Sequence, residues 1–92
     1  MLECHPVAIV IFAESAFRHG YTEEDVQELL QERYVRTQSQ RGFPNVYELF
    51  GRNAAGDYLH VIYRELSDGR WRVFHVTRMT NAHRRRYRRI QL

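Results

Sequence analysis

Lysine is missing from this chain: all fourteen basic residues are arginine. A guanidinium stays charged at every working pH, so mechanisms that need a neutral amine are excluded and cation chemistry must use a planar, permanent charge. Cysteine is nearly missing. Cys4 stands alone, which excludes an internal disulfide and fits a reducing cytoplasm. Only two prolines occur, and with 43% hydrophobic and 13% aromatic residues the composition lacks the signature of disorder. No apolar run approaches the length of a membrane span. The longest, "VAIVIFA", covers seven residues, ends at Glu14 and lacks the flanks of a signal peptide, so we read it as buried structure and expect no membrane. Ninety-two residues allow a single domain over 1–92, whose core buries roughly 60 to 65% of the unfolded chain's surface.

Acids are absent from residues 70–89. That stretch holds eight of the fourteen arginines and none of the eleven acids, so it carries +8, while the remainder, six arginines against eleven acids, carries −5. A split of this kind implies a basic patch that attracts phosphate or an acidic partner, or else one well-solvated arginine face. The acids Glu23, Glu24, Asp25, Glu28 and Glu32 form the opposite pole.

The residues that are present predict an α+β fold. "VAIVIF" reads as a strand or the entry to a helix, and "AESAFRHG" as a short helix closed by Gly20. Thr22 as N-cap, acids in the first turn and apolar Val26, Leu29 and Leu30 predict a helix over 22–33. The segment "TQSQRGFPN" breaks that pattern. "VYELFGR", "DYLHVIYREL" and "RWRVFHVTR" follow, separated by the turn signals "NAAG" and "SDG", and predict a three-stranded antiparallel meander. Thr80 then caps a last helix with Met79, His83, Tyr87 and Ile90 on one stripe and Arg84, Arg85, Arg88 and Arg89 elsewhere. The expected architecture is a small antiparallel sheet, the meander with or without an extra N-terminal strand, packed against two N-terminal helices and a basic C-terminal helix.

The segments "RHGYTEEDVQELL" and "GRNAAGDYL…RVFHVTRMTNAHRRRYRR", in this order and spacing, resemble the BrnT-like toxins of bacterial type II toxin–antitoxin modules over about residues 12–90. The resemblance implies a RelE-like fold, a metal-independent endoribonuclease that needs no cofactor, and neutralisation by a small DNA-binding antitoxin, with a homodimer or a toxin–antitoxin hetero-oligomer as the assembly. The chain departs from the family pattern at two places. The family's Ala-Arg-Asp-Met-Thr stands here as Val76, Thr77, Arg78, Met79 and Thr80, and the family's glutamate before the helix arginine is His83.

Metal-free RNA cleavage needs a base for the 2′-hydroxyl proton, an acid for the leaving oxygen and donors or cations around the phosphate. His19, which matches the family's RHG, lies beside Arg18 and reads either as a catalytic imidazole or as a helix C-terminal histidine. Strict alternation puts Trp71, Val73, His75 and Thr77 on one strand face, and Phe74, Val76 and Arg78 on the other, so that Phe74 and Val76 pack on the helices while His75 faces outward. In the preceding strand Tyr58, His60, Ile62 and Arg64 share a face, and Leu59, Val61 and Tyr63 form core. The candidate catalytic set is His19, Arg64, His75, Arg78 and Tyr87, and the candidate RNA-binding set Arg18, His60, Arg84, Arg85 and Arg88. Surface histidines and a packing tyrosine are the plainer alternatives. Cys4 and His5 make no metal set, and no HExxH, P-loop or dinucleotide motif occurs. Two other functions fit the composition: a non-catalytic nucleic-acid-binding domain, and a protein-interaction module.

Overall fold

The computed structural model describes residues 2–3, 9–39 and 42–91. Cys4, His5 and the first residues of the apolar stretch, Val7 and Ala8, lie outside them. One mixed sheet organises the chain, with strands β1 (Leu2–Glu3), β2 (Val10–Phe12), β3 (Tyr34–Gln38), β4 (Val46–Arg52), β5 (Tyr58–Glu65) and β6 (Trp71–Arg78). Their order is β1-β3-β4-β5-β6-β2. The neighbours are antiparallel except β2, which runs parallel to β6 and pairs Val10 with Trp71. Helix α1 (Glu23–Gln31) covers one face and helix α2 (Asn81–Gln91) part of the other.

The meander therefore has four strands, one more than the turn signals predict. β3 was hidden because Tyr34 and Val35 are both fully buried, one in the α1-side core and the other in the α2-side core. A strand covered on both faces shows no apolar–polar alternation. The first N-terminal helix is only a 3-10 turn, Glu14–Phe17, ending near Gly20 at φ 88°. α1 stops at Gln31 rather than 33, because Glu32 turns extended and feeds β3.

Thr22 and Asp25 cap α1 reciprocally. The Asp25 N–H donates to Thr22 Oγ1 at 3.3 Å, and the Thr22 N–H donates to Asp25 Oδ2 at 2.9 Å. Val26, Leu29 and Leu30 then drop onto Leu49, Leu59, Val61, Tyr63, Val73 and Val76. Each such side chain contributes about 1.5–3 kcal/mol relative to exposure. Gly51 lets α1 come this close: a Cβ there would lie 2.9 Å from Leu29 Cγ.

The alternation along β6 is broken. Ile62 pairs with His75 and Tyr63 with Val73, so Phe74 is the extra residue of a β-bulge. Trp71, Val73 and Val76 all join the α1-side core, whereas Phe74 and His75 both line the cleft on the other side. The expectation that Trp71 and Val73 share the face of His75, with Phe74 against the helices, is corrected by that one residue.

The candidate active-site cleft

α2 covers only one end of its sheet face. Met79 and Tyr87 pack on Val35 and Phe50, with Tyr58 and Ile90 beside them, and the Met79 N–H donates to the Tyr58 carbonyl at 2.9 Å. The uncovered remainder is a cavity of about 630 Å³, floored by Glu48, His60 and Ile62, walled by Phe74, His75 and His83, and rimmed by Ser39, Phe43, Val46 and Arg64.

A buried ion pair lies under the cleft. Glu48 Oε1 is 2.8 Å from His60 Nε2, and Arg86 Nη1 stands 3.4 Å from both Glu48 oxygens while Nη2 donates to Thr37 Oγ1 at 3.0 Å. His60 is only 4% exposed. A carboxylate against a guanidinium accepts, so the His60 proton sits on Nε2. Nδ1 is then a bare acceptor, with no hydrogen-bond partner among the described residues. Burial pushes His60 down to about 4, with His83 and His75 adding to the fall and Glu48 opposing it. The imidazole is neutral at neutral pH.

The other imidazoles run from this floor to the surface. Ring centroids of His60 and His83 are 4.1 Å apart, those of His60 and His75 5.9 Å, and those of His75 and His19 5.5 Å. His83 is fixed by the start of α2, where Thr80 Oγ1 accepts the His83 N–H and His83 Nδ1 accepts the Thr80 N–H. Its Nδ1 lone pair is thus engaged, so the neutral ring keeps its proton on Nε2 and is a donor from that atom. Burial lowers His83, with Arg86 adding to that effect and Glu48 opposing it. His75 is lowered as well, first by burial and then by His19 and His83.

The fold brings His60, His75 and Arg64 to the cleft and sets His19 against His75. It does not bring Arg78 there. Arg78 pairs across the sheet with Leu59, a core residue of the α1 side, and its guanidinium goes to Tyr21 and to Asp57 at 3.8 Å. Tyr87 opens onto a different cavity beyond α2. Arg84 stands 4.3 Å over the Tyr58 ring, Arg85 and Arg88 face solvent with Arg89, and Arg18 is exposed after the 3-10 turn.

Three residues of the site escaped the sequence reading: Glu48, Arg86 and His83 in its role as a cleft wall. Signals for them existed. Glu48 shares strand parity with Val46 and Phe50, which marks an acid at a core position, and Arg86 stands seven residues after Met79, on the inner stripe of the helix.

Among the described residues no group of three or more His, Cys, Asp or Glu is arranged to hold a metal ion, and no helix is long and apolar enough to cross a membrane. No protein-family model, curated protein or solved structure matches the chain.

Proposed function

We propose that the protein is a metal-independent endoribonuclease whose reaction takes place in the histidine cleft. The observation that carries this reading is the line of imidazoles from His19 through His75 and His60 to His83, the last three lining one open cavity with Arg64. Its histidines give proton transfer at the pH of a cell, and its arginine gives phosphate attraction.

His75 is the base, because its lowered pKa keeps the ring neutral and able to accept a proton. It takes the proton of a ribose 2′-hydroxyl as that oxygen bonds to the adjacent phosphorus. Charge gathering on the phosphoryl oxygens meets the His83 Nε2–H and Arg64. The bond from phosphorus to the 5′-oxygen breaks, and that oxygen takes a proton from His19, which stands against His75. The products are a 2′,3′-cyclic phosphate and a 5′-hydroxyl. Glu48, His60 and Arg86 hold the floor on which His75 and His83 rest, and the exposed Arg84, Arg85 and Arg88 meet backbone phosphates outside the cleft.

The BrnT-like resemblance supports the same reading and extends it to a RelE-like toxin, a growth inhibitor acting in the cytoplasm and held in check by a small antitoxin. The test is purified protein with RNA in EDTA, followed by analysis of the fragment ends. Fragments ending in 2′,3′-cyclic phosphate, with a DNA strand of the same sequence left whole, are expected. Salt-dependent RNA binding without cleavage would replace the enzyme with a nucleic-acid-binding domain. Neither binding nor cleavage would leave the basic helix to an acidic protein partner.

A further inference from the structure

A second cavity, of about 600 Å³, opens beyond α2, where Arg33 and Arg52 face Tyr87 across the β4–β5 turn. Its rim is built rather than loose. Asn53, 7% exposed, donates from Nδ2 to Asp25 Oδ1 at 3.2 Å and accepts the Asp57 N–H on Oδ1 at 2.8 Å, while the Ala54 N–H donates to Glu28 Oε1 at 3.0 Å. The turn is thereby tied to α1, and the Asp25 and Glu28 carboxylates are occupied in holding it.

Among the described residues Arg70, Arg78 and Arg86 make ion pairs with carboxylates, whereas Arg33 and Arg52 make none. Glu32 lies on the same rim yet pairs with neither. Both arginines act electrostatically on the Tyr87 phenol, Arg33 from the link between α1 and β3 and Arg52 from the end of β4. Arg52 also stands 5.6 Å from the Tyr58 ring, which Arg84 of α2 approaches at 4.3 Å.

We infer that this cavity is a phosphate-binding site, with Arg33 and Arg52 clamping one phosphate group beside Tyr87. Arginine forks match the planar edge of a phosphate, and two from different elements fix its position as one cannot. The phosphate comes either from a free phosphate compound or from a backbone phosphodiester of a nucleic acid lying along α2. The site is separate from the histidine cleft and stands whether or not that cleft cuts RNA.

The test follows the arginine Nε–H resonances of the whole protein while inorganic pyrophosphate and, separately, a short oligodeoxynucleotide are added. The deoxy strand has phosphodiesters but no 2′-hydroxyl, so cleavage cannot enter the result. Saturable shifts at Arg33 and Arg52 are expected with at least one probe. Pyrophosphate alone identifies a free phosphate ligand, and the oligonucleotide alone identifies a strand. Arg33→Gln with Arg52→Gln should weaken the binding roughly tenfold or more. Glu32→Gln, which removes a carboxylate from the rim, should tighten it. Arg70→Gln with Arg72→Gln removes the same charge from exposed positions around the start of β6, away from α2, and should change it far less. No saturable shift with either probe, or equal weakening by the two arginine pairs, would overturn the site. Weaker binding by Glu32→Gln would do so too, since it would mark a cation site instead.

Discussion

Leu59 and His60 are neighbours in β5, both buried, and they sit in opposite kinds of interior. Leu59 enters a core of Leu49, Val61, Tyr63, Val73 and Val76, all at 0% exposure, under an α1 that supplies only aliphatic side chains. His60 enters a layer where Glu48 and Arg86 are nearly as hidden, at 11% and 17% side-chain exposure, and where a ring nitrogen lacks a partner among the described residues. Apolar burial lowers the free energy by itself, but buried charge costs several kcal/mol per ion before its partner offsets it. The α1 face accounts for stability. The α2 face spends some of that stability on a polar floor, which a purely structural role does not require.

The comparison breaks most sharply at Glu48. Glu48→Ala strands Arg86 and should cost about 3–5 kcal/mol in urea unfolding. Replacing the set together, Glu48→Leu with Arg86→Met and His60→Leu, should leave stability equal or higher while abolishing cleavage. A triple variant as unstable as the single one would show that the polar floor holds the fold together.

Acid sharpens the same contrast. His60 titrates near 4 when folded, against 6.5 for an unperturbed histidine, so the unfolded chain binds more protons across that window and stability rises with pH. The contribution is complete above pH 6.5, is lost as pH falls towards 4, and is on the order of 3 kcal/mol. Urea midpoints across this range should slope for the wild-type chain and flatten by that amount in the triple variant. A slope unchanged in the variant would place the acid sensitivity elsewhere.

At the cleft wall, His75→Gln keeps polarity and bulk while removing the titrating ring. The proposed cleavage should fall roughly 100-fold or more with the fold intact, and in the wild-type protein the acid limb of its rate profile should lie below pH 6.5. Full activity in His75→Gln would pass the base to another group. On the apolar face Gly51→Ala forces a Cβ against Leu29 and should cost about 1–3 kcal/mol by calorimetry. The smallest effect is expected at Thr80→Ala, about 1 kcal/mol, because it removes one cap at the start of α2 and leaves its packing in place.

Much of the fold was legible in the chain because its signals are local. The Thr22 cap with first-turn acids, the i, i+3, i+4 spacing of Val26, Leu29 and Leu30, and the Thr80 start of the last helix each depend on residues within one or two turns. The parity of β5 was legible too, and with it the pairing of His60 with Arg64 on one face. β3 was not, because cover on both sides erases the alternation that marks a strand. Tyr87 was chosen from the family motif and Arg78 from the end of the strand that carries His75, and the register and the turn of α2 put them outside the cleft.

The sequence by itself narrowed the candidate groups: with no lysine and a lone cysteine, five histidines beside fourteen arginines put imidazole and guanidinium foremost. Which of them meet was decided only in three dimensions. One inserted residue, Phe74, reverses the facing of β6 beyond it and delivers His75 to the cleft. Packing of α2 then brings Arg86 to Glu48 across thirty-eight positions of chain. A side chain's face follows from counting residues along an unbroken strand, but a bulge changes the count, and contacts between distant strands and helices follow from register and packing that no local pattern encodes.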